Sequence, residues 1–339
     1  MKTVKLSDVL IIKYGKDHKN LDNGNIPVYG SGGLMRMVDN YLYDGESVLI
    51  PRKGSLNNVQ FVSGKFWTVD TLFWTIINSN LIRPKYLYYI LKQLNFLSMN
   101  VGSAVPSLTA SILYPIEITI PSLEIQDKIL LKILPIESKI YLNKQINDNL
   151  VELAIAMFKE MFPHIQYGDN QIGDYITPKR GKNLTSKNAV IGKIPVIAGG
   201  LSPATWHNQA NTKKPVITIS ASGANAGFVN LWTIPVWSSD SSYIDSTMTD
   251  TPYFWYIMLK VRQSEIFDLQ TGSAQPHIYP KHIAGLPTIK LTLANMKKYE
   301  NRVIPIFDEY ANNLSEINTL SNLRDTLLPK LLNGEIEFN

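Results

Sequence analysis

The side chains that most often do chemistry are thinly spread through this chain. Cysteine is absent, which excludes disulfides, thiolate zinc sites and thiol nucleophiles. The histidines are His18, His164, His207, His277 and His282. His277 and His282 lie too far apart in sequence to form the four-residue helix pair that holds zinc. Gly181-Lys182 and Gly192-Lys193 are followed by Asn183 and Ile194, so neither is a phosphate-binding loop. Gly30-Ser31-Gly32-Gly33 lacks the last glycine of a dinucleotide fingerprint, because Met35 stands there. No Asn-Pro-Pro-aromatic run exists to hold an extruded base for amino methylation. Glu137-Ser138-Lys139 has a nuclease-like spacing but lies in a helical stripe without an upstream acid pair. Asp70 and Asp240 each follow a Trp in an apolar stretch and are expected to be structural hydrogen-bond acceptors. No catalytic set assembles from these residues.

What remains is a supply of donors on loops. Reading base edges needs such donors, with Lys and Arg nearby for phosphates. The first half of the chain offers Lys13, Lys16, Arg36, Arg52, Lys53, Ser55, Asn57 and Asn58. The second half offers Lys179, Arg180, Lys182, Ser220, Ser222, Asn225 and His277. The plain alternative is that these are ordinary solvated loop residues. Tyr86–Tyr89 and Tyr253–Tyr256 resemble base-stacking platforms, but at helical spacing after a proline they are expected in the core.

The elements that must position these donors come twice. Ile26-Pro27-Val28 recurs as Ile194-Pro195-Val196, and Val48-Leu49-Ile50 aligns with Val216-Ile217-Thr218, both at an offset of 168. Trp67 to Asp70 matches Trp237 to Asp240, and Gly102-Ser103-Ala104-Val105-Pro106 matches Gly272-Ser273-Ala274-Gln275-Pro276, both at 170. The 168 offset sets Arg52-Lys53 against Ser220-Ala221, so equivalent loops carry different donors. Each copy reads as short β-branched strands such as Ser47–Pro51 and Pro215–Ser220, then a helix (Tyr86–Leu97, Pro252–Phe267), then a strand-like return (Ile116–Ile120, Leu286–Leu291).

A long helical pattern follows each copy. Ile133, Ile136, Ile140, Asn143, Asn147, Leu150, Ala154, Met157 and Met161 alternate steps of three and four. Adding 170 reproduces the stripe from Val303 to Leu331. A seam of this kind calls for a second helix beside it. Pro135 and Pro305 are expected in first turns, and Gly334 as a C-terminal cap. Asn143 and Asn313 either pair inside the seam and fix its register or face solvent. About 28 helical residues span roughly 42 Å at ~1.5 Å each, or about a dozen base pairs.

Length and charge fit two domains. At roughly 100–200 residues per domain, 339 residues make a pair or a duplicate. Of the net charge of +5, residues 1–123 carry +4 and residues 163–300 carry +5, while 124–162 and 301–339 carry −1 and −3. Two basic blocks favour a polyanion partner, and the acidic helices favour a strut or protein-docking role. Met1-Lys2-Thr3-Val4-Lys5 leads into no apolar signal core, so a bacterial-type cytoplasm is expected and no membrane partner.

These features, with Gly102–Leu108, Ile118-Thr119-Ile120-Pro121-Ser122-Leu123-Glu124-Ile125-Gln126 and the run from Leu323 to Ile336, resemble the specificity subunits of type I restriction–modification systems. The second copy departs at Leu291–Met296, which lacks the Pro and the Glu-Ile-Gln. The resemblance implies an α/β (α+β) architecture of two tandem homologous target-recognition domains with short strands, separated by two long helices that form an antiparallel coiled coil. The expected boundaries are 1–123 for the first domain, 124–162 for its helix, 163–300 for the second domain and 301–339 for its helix. It implies no catalysis by this chain, with each domain reading half of a bipartite site on double-stranded DNA. The helices are expected to set the gap and dock two methyltransferase subunits. S-adenosylmethionine and ATP then belong to partner subunits, among them restriction and translocase subunits, and the chain itself binds no cofactor or metal. The competing reading is a duplicated binding module for another ligand such as a carbohydrate.

Overall fold

Short strands and glycine turns lead into helices in the computed structural model, which describes residues 1–185, 187–272 and 275–336. Ser273 and Ala274 of the repeated Gly-Ser-Ala motif, and residues 337–339 of the second helical segment, lie outside the described residues. The chain divides into two units: Met1–Ile140 with Thr319–Asn339, and Tyr141–Asn318.

The first unit begins with β1 (Lys2–Lys5), α1 (Leu6–Val9), β2 (Leu10–Tyr14), β3 (Ile26–Gly30), β4 (Gly33–Val38) and β5 (Tyr43–Asp44). It continues through β6 (Ser47–Pro51), β7 (Gln60–Val62), β8 (Lys65–Thr68), β9 (Leu72–Ile77), α2 (Pro84–Gln93), α3 (Ala110–Leu113) and β10 (Glu117–Ile120) into α4 (Leu123–Met161). The sheets have strand orders β2-β9-β6-β7, β4-β3-β8-β5 and β1-β10. Every residue of β6 is buried. Val48 and Ile50 face a core with Tyr86, Leu87 and Leu91, while Leu49 packs with Phe66, Leu72 and Trp74 on the other side. A strand covered on both faces has no solvent side, so its sequence is a continuous apolar run. Tyr86 and Tyr89 are core residues, not an exposed platform.

The second unit repeats the scheme with β11 (Asn170–Gln171), β12 (Lys179–Arg180), β13 (Ile194–Ile197), β14 (Thr205–His207), β15 (Val216–Ser220), β16 (Val229–Trp232), β17 (Trp237–Ser238) and β18 (Ser241–Asp245). Then come α5 (Pro252–Val261), α6 (Gln263–Asp268), α7 (Pro280–Ala284), β19 (Pro287–Thr288) and α8 (Leu293–Leu332). Its sheets are β12-β18-β15-β16, β14-β13-β17 and β11-β19. β13 and β17 run parallel, as β3 and β8 do.

The hydrogen bonds correct the register of the duplication. Gly54 N–H donates to Pro106 O and Gly223 N–H to Pro276 O, both at 3.0 Å. Leu108 N–H donates to Arg52 O and Ile278 N–H to Ala221 O, both at 2.9 Å. Arg52-Lys53 therefore corresponds to Ala221-Ser222, one residue beyond the Ser220-Ala221 expected. Side-chain faces explain why: Ile217 and Ile219 point into the second core as Val48 and Ile50 do into the first. With a period of two, a slip of one residue would turn every side chain to the wrong face.

A close approach of backbones also recurs. Lys16 N–H bonds Thr68 O at 2.9 Å and Trp67 Nε1 donates to Lys16 O at 2.9 Å. Lys182 N–H bonds Ser238 O at 2.9 Å, and Trp237 Nε1 donates to Lys182 O at 2.8 Å. A Cβ on the preceding glycine would sit 2.0 Å from Val69 O at Gly15 and 2.5 Å from Ser239 O at Gly181. Only glycine fits.

In the long helices, Pro135 and Pro305 lie in the interior of α4 and α8, not in first turns as expected. Leu131, whose carbonyl Pro135 leaves without a helical donor, is 72% exposed, so water can satisfy it. Within the second unit the helices run antiparallel: Tyr299 Oη donates to Ala154 O at 2.8 Å and Asn147 Nδ2 to Tyr310 O at 3.2 Å. Asn143 and Asn313 are both buried in the seam. Asn313 Nδ2 donates to Asn147 Oδ1 at 2.9 Å, while Asn143 Nδ2 donates to Glu316 at 2.7 Å. The seam thus contains a buried asparagine pair, with Asn147 as the second member. Within the first unit, Leu328, Leu331 and Leu332 of α8 join the core that holds Ile129, Leu130 and Ile133 of α4. Gly334, at φ +73°, ends α8 as a cap.

Each domain is fixed to its helix by polar contacts at the start of α2 or α5. Asp127 takes two bonds from Arg83, at 2.7 and 2.8 Å. In the second unit the charges are exchanged, with Lys297 3.6 Å from Asp250. Glu300, 4% exposed, accepts the N–H groups of Tyr253 and Phe254 at 3.1 and 2.7 Å. Burial pushes its carboxyl up to about 7 against the lowering effect of those bonds.

Two stability predictions follow from these contacts. Gly15→Ala or Gly181→Ala is expected to destabilise its unit by about 1–3 kcal/mol, through backbone overlap, as read by urea unfolding. Glu300 binds its proton more tightly when folded, so the stability linked to it is greatest below its unfolded value of 4.5 and declines as pH rises through about 7. Relative to Glu300→Gln, the wild-type chain is expected to lose about 2–3 kcal/mol between pH 5 and pH 8. Unfolding curves at three pH values check this, and parallel pH profiles for the two proteins refute it.

Candidate nucleic-acid interface

In the first unit the loops Gly15–Lys19, Gly30–Gly33, Arg52–Asn58 and Val69–Thr71 converge. The doubly buried β6 ends at Pro51, and its exit delivers Arg52 and Lys53 to this surface. Arg52 N–H and Lys53 N–H both reach Thr71 O, at 2.8 and 3.2 Å. The Arg52 guanidinium lies 5.4 Å over the Tyr14 ring and donates to Asp70 O at 3.2 Å. Lys53 Nζ stands 3.9 Å from the Asp70 carboxylate. Asn58 Nδ2 donates to Ser31 O at 2.7 Å, and Gln60 Nε2 to Gly30 O at 3.0 Å, tying this loop to the β3–β4 turn. An open groove of about 830 Å³ is lined by Asp17–Lys19, Gly30–Met35 and Val69–Thr71. The Lys19 backbone N–H holds the Asp17 carboxyl below its ordinary value.

The other first-unit candidates differ in how they are held. Lys13 and Lys16 are exposed, on β2 and just after it. Ser55 is exposed in a turn closed by Asn58 N–H to Ser55 O at 3.0 Å. Asn57 is exposed, but its Oδ1 accepts from Leu97 N–H at 3.1 Å. Arg36 is tied inward, donating to Leu21 O and Asn23 Oδ1 at 3.1 and 3.0 Å.

In the second unit Lys179 and Arg180 are exposed on β12, and Lys182 follows at the close glycine approach. Arg180 Nη2 donates to Asp240 Oδ1 at 2.6 Å, and the Ser222 hydroxyl donates to the other oxygen of the same carboxylate. His277 pairs with Ser222 through a backbone bridge, and its ring stacks on Tyr279 at 6.0 Å. Asn225 closes the neighbouring turn through its carbonyl, 3.0 Å from Phe228 N–H. Ser220 is different. It is 4% exposed and sits within β15 opposite Ser241, so it is part of the sheet and not of the loop surface. The wrong register put it on the loop.

Sequence reasoning passed over Tyr14, Lys19 and Ser31, and took Asp70 and Asp240 for structural acceptors. Asp240 does accept, from Arg180 and Ser222, whereas the Asp70 carboxylate stands 3.9 Å from Lys53 as an ion-pair partner; their side chains are 36% and 62% exposed, toward the surface. The signal was present in the alignment of Tyr14-Gly15-Lys16 with Arg180-Gly181-Lys182. Among the described residues no three His, Asp or Glu side chains group to hold a metal ion. No helix among them is long and apolar enough to cross a membrane. Glu137, at the nuclease-like spacing, instead pairs with Lys85 at 3.2 Å.

The chain has clear likenesses among known proteins. Residues 1–152 match the type I restriction modification DNA specificity domain. The chain is 24% identical over 314 residues to the type I restriction enzyme MjaIX specificity subunit of Methanocaldococcus jannaschii, covering 79% of this chain and 73% of that one. It is 22% identical over 380 residues to the type I restriction enzyme HindI specificity subunit of Haemophilus influenzae, covering 81% of each. In fold it is similar to the crystal structure of a type I restriction–modification S subunit from M. genitalium, with a TM-score of 0.61, 19% identity and coverage of 97% and 95%. A duplicated α/β unit with a long helix after each copy, donors on its loops and these likenesses point the same way: residues 1–152 match the type I restriction modification DNA specificity domain, and the chain as a whole is similar to type I specificity subunits.

Proposed function

We propose that each unit reads one half of a bipartite site on double-stranded DNA, and that the paired segments of α4 and α8 set the gap and dock two methyltransferase subunits. The observation that carries this reading is one loop skeleton bearing different donors. The hydrogen bonds around Gly54 and Gly223 are the same, while Arg52-Lys53 in one copy is Ala221-Ser222 in the other. Equivalent positions with unlike donors suit an asymmetric site, because base-edge patterns in the major groove distinguish every pair. The functional segments are residues 1–123, 124–162, 163–300 and 301–339. In this reading Lys13, Lys16, Lys179 and Lys182 serve phosphates, while Arg52, Lys53, Ser55, Asn57, Asn58, Ser222, Asn225 and His277 face bases. S-adenosylmethionine and ATP are used by the partner subunits, in the cytoplasm. A carbohydrate-binding module finds no support among the relatives.

Exchange of residues 1–123 for those of a relative tests the modular reading. Sequencing of methylated adenine in cells carrying the hybrid and its methyltransferase is expected to show one half-site changed and the other intact. A change in both half-sites at once counts against it.

The gap is tested by lengthening both helices by a heptad, after Asn147 in α4 and after Asn312 in α8. These points leave the Asn147–Asn313 bond inside one uninterrupted seam. Each helix grows by about 10.5 Å at ~1.5 Å per residue, and the non-specific gap is expected to grow by about three base pairs, give or take one for helical twist. A double-insertion protein that folds, binds its methyltransferase and methylates only the original spacing refutes the ruler.

A further inference from the structure

Resting on that reading, we propose that Arg180 reads a guanine in the half-site of the second domain, and that Asp240 is the positioning residue that aims its guanidinium.

Arg180 lies on the edge strand β12, its side chain 42% exposed. The structure gives its guanidinium one acceptor among the described residues, Asp240 Oδ1 at 2.6 Å. Asp240 is itself held by the Ser222 hydroxyl, so the carboxylate is braced from a second side. It stands in the turn between β17 and β18, where Ser239-Asp240-Ser241 replaces the longer Val69-Asp70-Thr71-Leu72 of the first unit. The arginine is thus fixed by one edge of its planar fork, and the other donors remain for a ligand.

The chemistry of that ligand follows from the neighbours. A carboxylate within hydrogen-bond distance repels an approaching phosphate but not a neutral base edge. Guanine presents N7 and O6 side by side in the major groove, two acceptors matching a bidentate arginine. Adenine offers an amino donor beside its N7, which would meet the fork donor to donor.

The first unit has no equivalent reader at this point. Tyr14 occupies the place of Arg180, and the guanidinium comes instead from Arg52, which stands where the second unit has Ala221. Arg52 is braced by an aromatic ring and a carbonyl, where Arg180 is braced by a carboxylate. The duplication has moved its arginine from one loop to the strand beside it.

The test uses the full chain with its methyltransferase. Methylated-adenine sequencing defines the motif, and the exchange of residues 1–123 assigns the second domain's half-site. That half-site is expected to contain a G·C pair whose discrimination falls about ten- to hundredfold in Arg180→Lys, which keeps the charge but not the fork. Duplexes with 7-deazaguanine at this position, lacking the N7 acceptor, are expected to bind the wild-type complex more weakly and Arg180→Lys no differently. Asp240→Asn is expected to relax the same position partially, with the first half-site unchanged. An unaltered motif in Arg180→Lys, a uniform loss of affinity for all sequences, or a second half-site without guanine each overturns the assignment and leaves DNA recognition standing. Unchanged discrimination in Asp240→Asn overturns the positioning role. A wild-type complex that methylates no defined sequence overturns the underlying reading instead.

Discussion

Burial of β6 and β15 on both faces is the constraint from which the loop surface follows. Neither strand has a solvent side, so neither can slip by a residue without driving side chains into the wrong core. The residues leaving their C-terminal ends, Arg52-Lys53 and Ala221-Ser222, are therefore held at fixed positions whatever their identity. The glycines that follow, Gly54 at φ +86° and Gly223 at φ +81°, turn both loops the same way. A rigid floor with a conserved turn lets donors differ between copies without moving the loop.

The seam between α4 and α8 works by a related principle. Most of its contacts are aliphatic or aromatic and tolerate sliding, but amides do not. Asn147 with Asn313 loses a buried hydrogen bond if the helices shift, and Asn143 with Glu316 a partly buried one. Such polar contacts cost stability relative to an apolar layer and gain a single register. Phe158, Phe162, Tyr299 and Phe307 thicken the aromatic part of this core, where Tyr299 meets Phe158 and Phe162 edge to face and Phe307 stacks on Tyr253.

The duplication, the long helices and the basic loops were legible in the sequence because each has a period or a repeat to reveal it. The register within the strands was not, since Val216-Ile217-Thr218-Ile219 aligns comfortably at 168 or 169 and only the side-chain faces decide. That ambiguity placed Ser220 on a loop when it lies inside the sheet. Pro135 and Pro305 were equally misleading, because a proline is compatible with a helix interior wherever the freed carbonyl meets water. The inward turn of Arg36 and the bracing of Arg180 by Asp240 depend on contacts between segments far apart in sequence.

The exchanged ion pairs at the domain–helix junctions bear on how such a chain can be rearranged. Arg83 meets Asp127 in the first copy, and Asp250 meets Lys297 in the second. A crossover that joined the first domain to the second helix would set Arg83 against Lys297, and the reciprocal product would oppose Asp250 to Asp127. Each domain thus carries an electrostatic key to its own helix. A rearrangement that keeps each domain with its own helix keeps both pairs, whereas one that crosses the two halves breaks them. Internal similarity can then persist without the halves becoming interchangeable.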